Sequence, residues 1–516
     1  MHGPELFVLF LGALVLTAVA RRLGWSSPLL LVTAGLLVSF IPGLPEFTLE
    51  PELILVLVLP PLLYSAALDS SYLNIKANLR PIALLAVGLV LATTVVVGAV
   101  AHLVLGLPFA AALVLGAVVA PPDAVAAVTI GRRLGLPRRA MTLLTGESLI
   151  NDASALTAYK VAVAAALGAG FSWGRGALTF VIAAGGGVLI GLAVGVVMTA
   201  IRKRLGDGVL ETALGLLVPF GAYMAAEQVT ASGVLAVVVA GLHIGHNSPS
   251  AAYSTRLHDA AVWRSIDVLL EALVFALIGL QLRSIIGHAE ISPGLLAAAG
   301  AVLVATIVVR FVWMYPAAYL AVWLFPRIRE KEGVPDPRQV TIIAWAGMRG
   351  VVSLAAASAI PRELPGRNVI LLCTFAVVIG TLLLQGTTLP WLITKIGVRT
   401  NEEQHDALAE AEVQHNAAKA AVERLEEQVT NGDQTPEHMV DRLLMQAEHR
   451  DNAARERLGR QDEESPAAAY RRLRRTMLDA ERQVFVEARD RGEIDDAVLF
   501  RVLRELDLEE AALSRE

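Results

Sequence analysis

A single cysteine, Cys373, occurs in 516 residues, so no intramolecular disulfide can form and no multi-cysteine metal or iron–sulfur site can be built. Redox chemistry is not what this chain is made for. Charge is also scarce: Asp, Glu, Lys and Arg make up 18% of the residues against 55% hydrophobic, and mean hydropathy is +0.59. No basic region leads the first apolar run, which begins at Glu5 and ends in Arg21 and Arg22, the reverse of the charge order of a cleavable signal. That run is read as a first span that is kept. No span holds a Ser/His or zinc-binding pair for hydrolytic chemistry.

What is present is a succession of apolar runs long enough to cross a bilayer, filling the first 400 residues. Broken at charges and at Pro or Gly clusters, they give thirteen expected helices: 5–20, 27–42, 50–68, 80–104, 108–131, 138–167, 177–201, 209–229, 232–246, 261–286, 293–325, 339–359 and 368–396. Loop charge supports that count, because cytoplasmic loops collect Lys and Arg. One set of alternate loops carries nineteen basic residues, from Arg21 and Arg22 to Lys395 and Arg399, and the other only Arg175, Arg283, Arg362 and Arg367. The expectation is an all-α polytopic plasma-membrane protein of about thirteen spans, its N-terminus outside and its C-terminus cytoplasmic.

Residues 400–516 differ in kind. They hold 17 Lys and Arg against 29 Asp and Glu, a net of −12 that leaves +7 for residues 1–399. Helices are expected at 401–428, 437–458, 466–490 and 495–512, with a turn at Asn431–Pro436. The tail reads as a cytoplasmic helical bundle with a regulatory or dimer-supporting role, or as a solvated appendage.

Two spans break in their middle. Pro121 and Pro122 interrupt the fifth, removing two backbone donors. In the twelfth, Gly347 and Gly350 flank Met348 and Arg349. Breaks seven spans apart, in helices of opposite direction, suit an inverted-repeat transporter whose half-helix ends face an ion site. The alternative is that membrane helices carry Gly and Pro for packing or kinks.

The sixth span contains Gly146-Glu147-Ser148-Leu149-Ile150-Asn151-Asp152. A carboxylate in hydrocarbon costs about 3 kcal/mol or more, so its presence there is a functional-site hypothesis. Residues four apart stack on one helix face, which puts Ser148 with Asp152 and Glu147 with Asn151 in adjacent rows. Asp123 follows the broken helix end at Pro122. Hydroxyl, amide, carbonyl and carboxylate oxygens are the hard ligands an alkali cation prefers. A desolvated carboxylate also takes a proton, and proton and cation competing for Asp152 is sufficient for exchange. Glu147 and Arg349 suit a structural ion pair. Glu271 and Arg310 are further intramembrane charges, for a second pair or a network. Lys160 reads as snorkelling to the interface, and His243 and His246 read as interfacial histidines or cytoplasmic pH sensors.

These residues resemble the sodium/proton exchangers of the monovalent cation:proton antiporter family, in its bacterial, Asn-Asp motif type. The match lies in Ala120-Pro121-Pro122-Asp123-Ala124-Val125, in Gly146 to Asp152, in Glu271-Ala272-Leu273-Val274-Phe275 leading to Gly279-Leu280, and in Gly347-Met348-Arg349-Gly350-Val351-Val352-Ser353. The resemblance implies a core domain with two crossing discontinuous helices that moves against a dimerisation domain, in a homodimer. It implies a cation and proton site of Asp152, Asp123, Ser148 and Asn151, with sodium on Asp152, Asp123 and Ser148 and with Pro122 at its edge, and Glu147 with Arg349 as structural pair. Asn151 before Asp152 implies electroneutral exchange. Two departures stand out: Pro122 replaces a Thr hydroxyl common in the family, and Leu62-Leu63-Tyr64-Ser65 lacks a Glu that some members carry.

The expected function is antiport of protons against sodium, or against lithium or potassium, with the cation as cargo and no cofactor, enzymatic activity or nucleic-acid partner. A potassium/proton antiporter of the same fold is the near alternative. An intramembrane aspartyl protease using Asp123 and Asp152 lacks the Tyr-Asp and Gly-x-Gly-Asp settings of that class, and a passive cation channel would not need paired helix breaks.

Overall fold

The computed structural model describes residues 3–41, 54–168, 173–281, 292–398, 402–430, 438–445, 466–491 and 496–515, with 436 and 493. Among them are helices and no strand. The chain separates into two compact units, Met1–Arg399 and Thr400–Glu516.

In the first unit every expected apolar segment contains a helix or a broken pair of helices. These are α1 Gly3–Leu23, α2 Ser27–Ser39, α3 Leu55–Leu68, α4 Leu79–Leu105, α5 Phe109–Val119, α6 Ala124–Arg133 and α7 Arg138–Ala166. They continue as α8 Trp173–Leu205, α9 Gly208–Gln228, α10 Gly233–His246, α11 Tyr253–Leu280, α12 Pro293–Leu324, α13 Pro337–Trp345, α14 Val351–Ser358 and α15 Arg367–Ile396. Among the described residues five helices are long and apolar enough to cross a membrane by themselves: α4, α8, α9, α12 and α15. The helices carrying the polar residues, α7 and α11, are excluded from that set by their charges, which is the chemical point of them. Arg283 and Arg399, two of the loop charges, lie outside the described residues.

Helix ends follow local sequence. Asp123, Asp207, Ser232, Ser292 and Asp336 each cap a following helix by accepting from a first-turn backbone N–H. Between apolar helices in lipid no hydrophobic force selects the partner, so close packing and polar contacts do. Where α11 crosses α2, a Cβ on Gly279 would lie 2.7 Å from Gly35 Cα, and one on Gly35 would lie 2.7 Å from the Ala276 carbonyl oxygen. Only glycine permits that approach, and it fixes the helix that carries Asp267 and Glu271.

The breaks expected in the fifth and twelfth segments are both present, between α5 and α6 and between α13 and α14. They meet: the Asp123 N–H donates to the Met348 carbonyl at 2.7 Å. Met348, Ile342, Ala126, Ala127, Leu354, Phe275 and Leu382 form one buried apolar cluster around this junction.

In the second unit α16 Glu402–Thr430, α17 Pro466–Asp490 and α18 Asp496–Arg515 correspond to three of the four expected helices. The turn at Asn431–Pro436 and the helix expected at 437–458 lie largely outside the described residues. α17 and α18 are joined by Arg474 donating to both carboxylate oxygens of Glu509, at 2.7 and 2.9 Å, and by Arg482 donating to Asp507 and Glu510. Leu478, Leu499 and Leu506 are buried in this unit.

Candidate functional site

Four half-helix ends converge at the junction, and each end is matched by charge. The C-terminal carbonyls of α5 and α13, the negative ends, have lost their helical donors. Arg349 supplies them: Nε donates to Val119 O at 2.8 Å, Nη2 to Ala120 O at 3.3 Å, and Nη1 to Gly347 O. Its backbone N–H donates to Thr381 Oγ1 on α15 at 3.0 Å. At the positive ends, Asp123 is the N-cap of α6, accepting from Val125 N–H at 2.9 Å. The other Asp123 oxygen packs directly on Gly350, the residue that opens α14. Any Cβ at 350 would overlap that carboxylate. Asp123 thus caps one helix N-terminus by hydrogen bond and packs on the residue that precedes the other.

The ion pair expected between Glu147 and Arg349 is corrected by the structure. Glu147 is held by Arg310 in a bidentate fork, Nη1 to Oε1 at 2.5 Å and Nη2 to Oε2 at 2.7 Å, with both side chains 1% exposed. Arg310 also donates to Ile343 O in the last turn of α13, at 3.1 Å from Nη2 and 3.3 Å from Nε. The reason is geometric. Arg349 lies inside a break, surrounded by orphan carbonyls that can use its five donors, whereas Arg310 lies on the unbroken α12, facing α7 squarely enough for a planar fork. Of the two arrangements open to Glu271 and Arg310, a second pair or a network, the direct pair is not formed, because Arg310 is taken by Glu147. Glu271 stands in the field of Asp267, Asp123 and Arg21 instead.

A cavity of about 240 Å³ opens beside the junction. Its walls include Pro121, Pro122, Asp123, Ser148, Asp152, Gly350 and Ser353, together with Ser65, Asp267 and Glu271. Asp152 is 6% exposed, and Asp123 is the charge that bears on it most. The adjacent rows of α7 thus separate: Ser148 and Asp152 turn to the cavity, and Glu147 and Asn151 turn away from it. Asn151, fully buried, donates from Nδ2 to Pro122 O at 2.8 Å, holding the carbonyl that the proline break leaves free. Of the expected cation ligands, Asp152, Asp123, Ser148 and Pro122 line this one cavity, while Asn151 is not among its lining residues and keeps Oδ1 buried without a hydrogen-bond partner among the described residues.

Asp267 and Ser353 carry no prior expectation. Asp267 is one helical turn before Glu271 on α11 and accepts from Ser65 Oγ at 2.6 Å. A carboxylate thereby reaches the third segment from outside, next to the position where Ser65 stands in place of an acid. The Asp-x-x-x-Glu spacing in an apolar run was the available signal. Asp267 and Glu271 also border a second, wider cavity of about 660 Å³, whose rim includes Arg21, Arg202, Lys203, Arg256 and Arg264. Lys160 pairs with Glu227 of α9 at 3.1 Å, away from both cavities. His243 lies against Gly195 of α8 and within 3.4 Å of the Asn247 amide, also apart from the central cavity.

The sodium/hydrogen exchanger (transmembrane) family profile matches residues 7–395. An uncharacterized Na(+)/H(+) exchanger of Mycobacterium tuberculosis is 33% identical over 538 residues, covering 99% of this chain and 96% of the relative. A sodium, potassium, lithium and rubidium/H(+) antiporter of Bacillus pumilus is 32% identical over 394 residues, covering 71% of this chain and 58% of the relative. Among solved structures, the sodium proton antiporter MjNhaP1 of Methanocaldococcus jannaschii superposes with a TM-score of 0.61 over 76% of this chain and 97% of its own, at 18% identity.

Proposed function

The chain belongs to the sodium/hydrogen exchanger family, and from that premise we propose that it exchanges protons for sodium across the plasma membrane, with proton and cation competing for Asp152. One observation carries the reading: Asp152 and Asp123 share a cavity at the meeting point of two broken helices whose end charges are already matched. Because Arg349 matches the helix C-termini and Asp123 caps the N-terminal side, the Asp152 carboxylate is the remaining charge, and an arriving cation or proton compensates it. A bare carboxylate is too costly to move through a low-dielectric barrier, and a loaded one is not. Movement is thus confined to the loaded forms, which couples the two ions.

The wider cavity is rimmed by Arg21, Arg202, Lys203, Arg256 and Arg264, basic residues on helices α1, α8 and α11 that belong to the set whose charge reads as cytoplasmic. On this reading the wider cavity opens toward the cytoplasm, and Asp267 and Glu271, which border both cavities, stand on the path from it to Asp152. The N-terminus is outside, the acidic tail is cytoplasmic and regulatory, and the protein works as a homodimer with thirteen spans. Asn151 cannot take up a second proton, so one proton moves per monovalent cation and the exchange is electroneutral. Asp123, committed to capping α6 and packed on Gly350, is ill placed to act as one half of a protease dyad. Potassium is a second reading, supported by the multi-cation activity in the name of the Bacillus relative.

In proteoliposomes, added sodium should dissipate an imposed pH gradient, and Asp152→Asn should abolish that response while the protein still inserts. A fully active Asp152→Asn protein would overturn the proposal.

A further inference from the structure

We propose that Ser353, on the second half of the broken twelfth segment, is a cation ligand that supplies the hydroxyl Pro122 cannot, and so helps set ion preference. This deepens the antiport reading above and rests on it. Ser353 is 1% exposed, lines the cavity that holds Asp152 and Asp123, and its Oγ has no hydrogen-bond partner among the described residues. A buried hydroxyl without a partner costs about 1–3 kcal/mol, so such an atom calls for an explanation.

Local structure accounts for its availability. A serine or threonine inside a helix ordinarily donates to the carbonyl four residues back, as Thr94, Thr157 and Thr306 do in this chain at 2.7–2.8 Å. For Ser353 that residue is Arg349, inside the break and outside α14, and the chain between them passes through extended backbone at Gly350, φ −136° and ψ −146°. No helical carbonyl is presented to it. Two other wall hydroxyls are already committed: Ser65 donates to Asp267, and Thr129 donates to Val125 O. Ser353 leaves its hydroxyl uncommitted in the lining of the cavity, one turn along from the glycine on which the Asp123 carboxylate rests.

The chemistry fits a desolvated alkali cation. A hydroxyl is a hard neutral oxygen, so it completes a coordination shell without adding a carboxylate to hold a second proton. A proton needs no such shell. Removing the hydroxyl should therefore weaken the cation's side of the competition and leave the proton's side alone.

The experiment uses purified full-length protein in proteoliposomes, with sodium, lithium and potassium as probes and proton flux as readout. Ser353→Ala should raise the apparent KM for the preferred cation about tenfold, the loss of one interaction with a charged group. Turnover at saturation should stay within about twofold, and the KM ratio between cations should narrow. Ser353→Thr, which keeps the hydroxyl, should retain the wild-type KM. Ser353→Cys, close in shape but soft, should behave as Ser353→Ala does, and it serves if the alanine variant fails to fold. A folded Ala or Cys variant with unchanged KM for all three cations would overturn the assignment while leaving antiport intact. A wild type that moves protons in response to none of the three would overturn both.

Discussion

Arg310→Met strips the Glu147 carboxylate of both fork donors in a place where each side chain is 1% exposed. Removing one partner of a buried pair costs about 3–5 kcal/mol, because the other charge is left uncompensated. Loss of the donors to Ile343 O adds about 1 kcal/mol more. Replacing both partners by apolar side chains of similar size is far milder, so Glu147→Met with Arg310→Met should recover most of the loss. The coupling energy of this cycle is expected at about 3 kcal/mol or more. The parallel cycle between Glu147 and Arg349 should give a smaller coupling, since Arg349 spends its donors on carbonyls and meets Glu147 only through its field. Equilibrium unfolding of the detergent-solubilised single and double variants, followed by tryptophan fluorescence, measures both cycles. Larger coupling to Arg349 than to Arg310 would refute the pairing and restore the simpler sequence-based expectation.

Three further outcomes follow from the junction and the tail. Gly350→Ala places a methyl group on the Asp123 carboxylate and should reduce exchange by about tenfold or more, equal to at least ~1.4 kcal/mol of strain or displacement; unchanged flux in vesicles would contradict the packing. Asn151→Asp removes the donor to Pro122 O and restores it only when the new acid is protonated, so a second proton should travel and exchange should respond to a clamped membrane potential, whereas wild-type exchange should not. Truncation after Arg399, at the boundary between the two units, should leave proton flux measurable and move its pH dependence, a result read from flux at stepped pH; complete loss in a folded truncation would refute a regulatory tail.

The broken helices were legible because Pro121-Pro122 and Gly347 to Gly350 are chemical punctuation that no uninterrupted helix tolerates well. So were the rows of α7, because helical periodicity alone separates Ser148 and Asp152 from Glu147 and Asn151. Sequence could not decide which arginine meets Glu147, since Arg310 and Arg349 are both single intramembrane cations and only the packing of α12 on α7 presents a fork. The bond from Asn151 Nδ2 to Pro122 O was not legible, because it depends on a backbone carbonyl that side-chain chemistry does not advertise, and it leaves Asn151 Oδ1 without a partner among the described residues. Ser353 went unnoticed for the opposite reason: a serine in an apolar helix normally satisfies itself, and only the displaced carbonyl of the preceding break leaves it free. Asp267 is visible once the partner of Ser65 is known, and its spacing to Glu271 shows that α11 carries a polar face of its own.

Competition at Asp152 is tested most directly by the apparent KM for sodium at the cytoplasmic face, measured from proton flux across a series of pH values on that face. A shared site requires the KM to rise about tenfold for each unit of acidification once the carboxylate is mostly protonated, while the saturated rate stays constant. An apparent KM that does not change with pH, with only the saturated rate falling, would place proton and cation at separate groups and contradict the account.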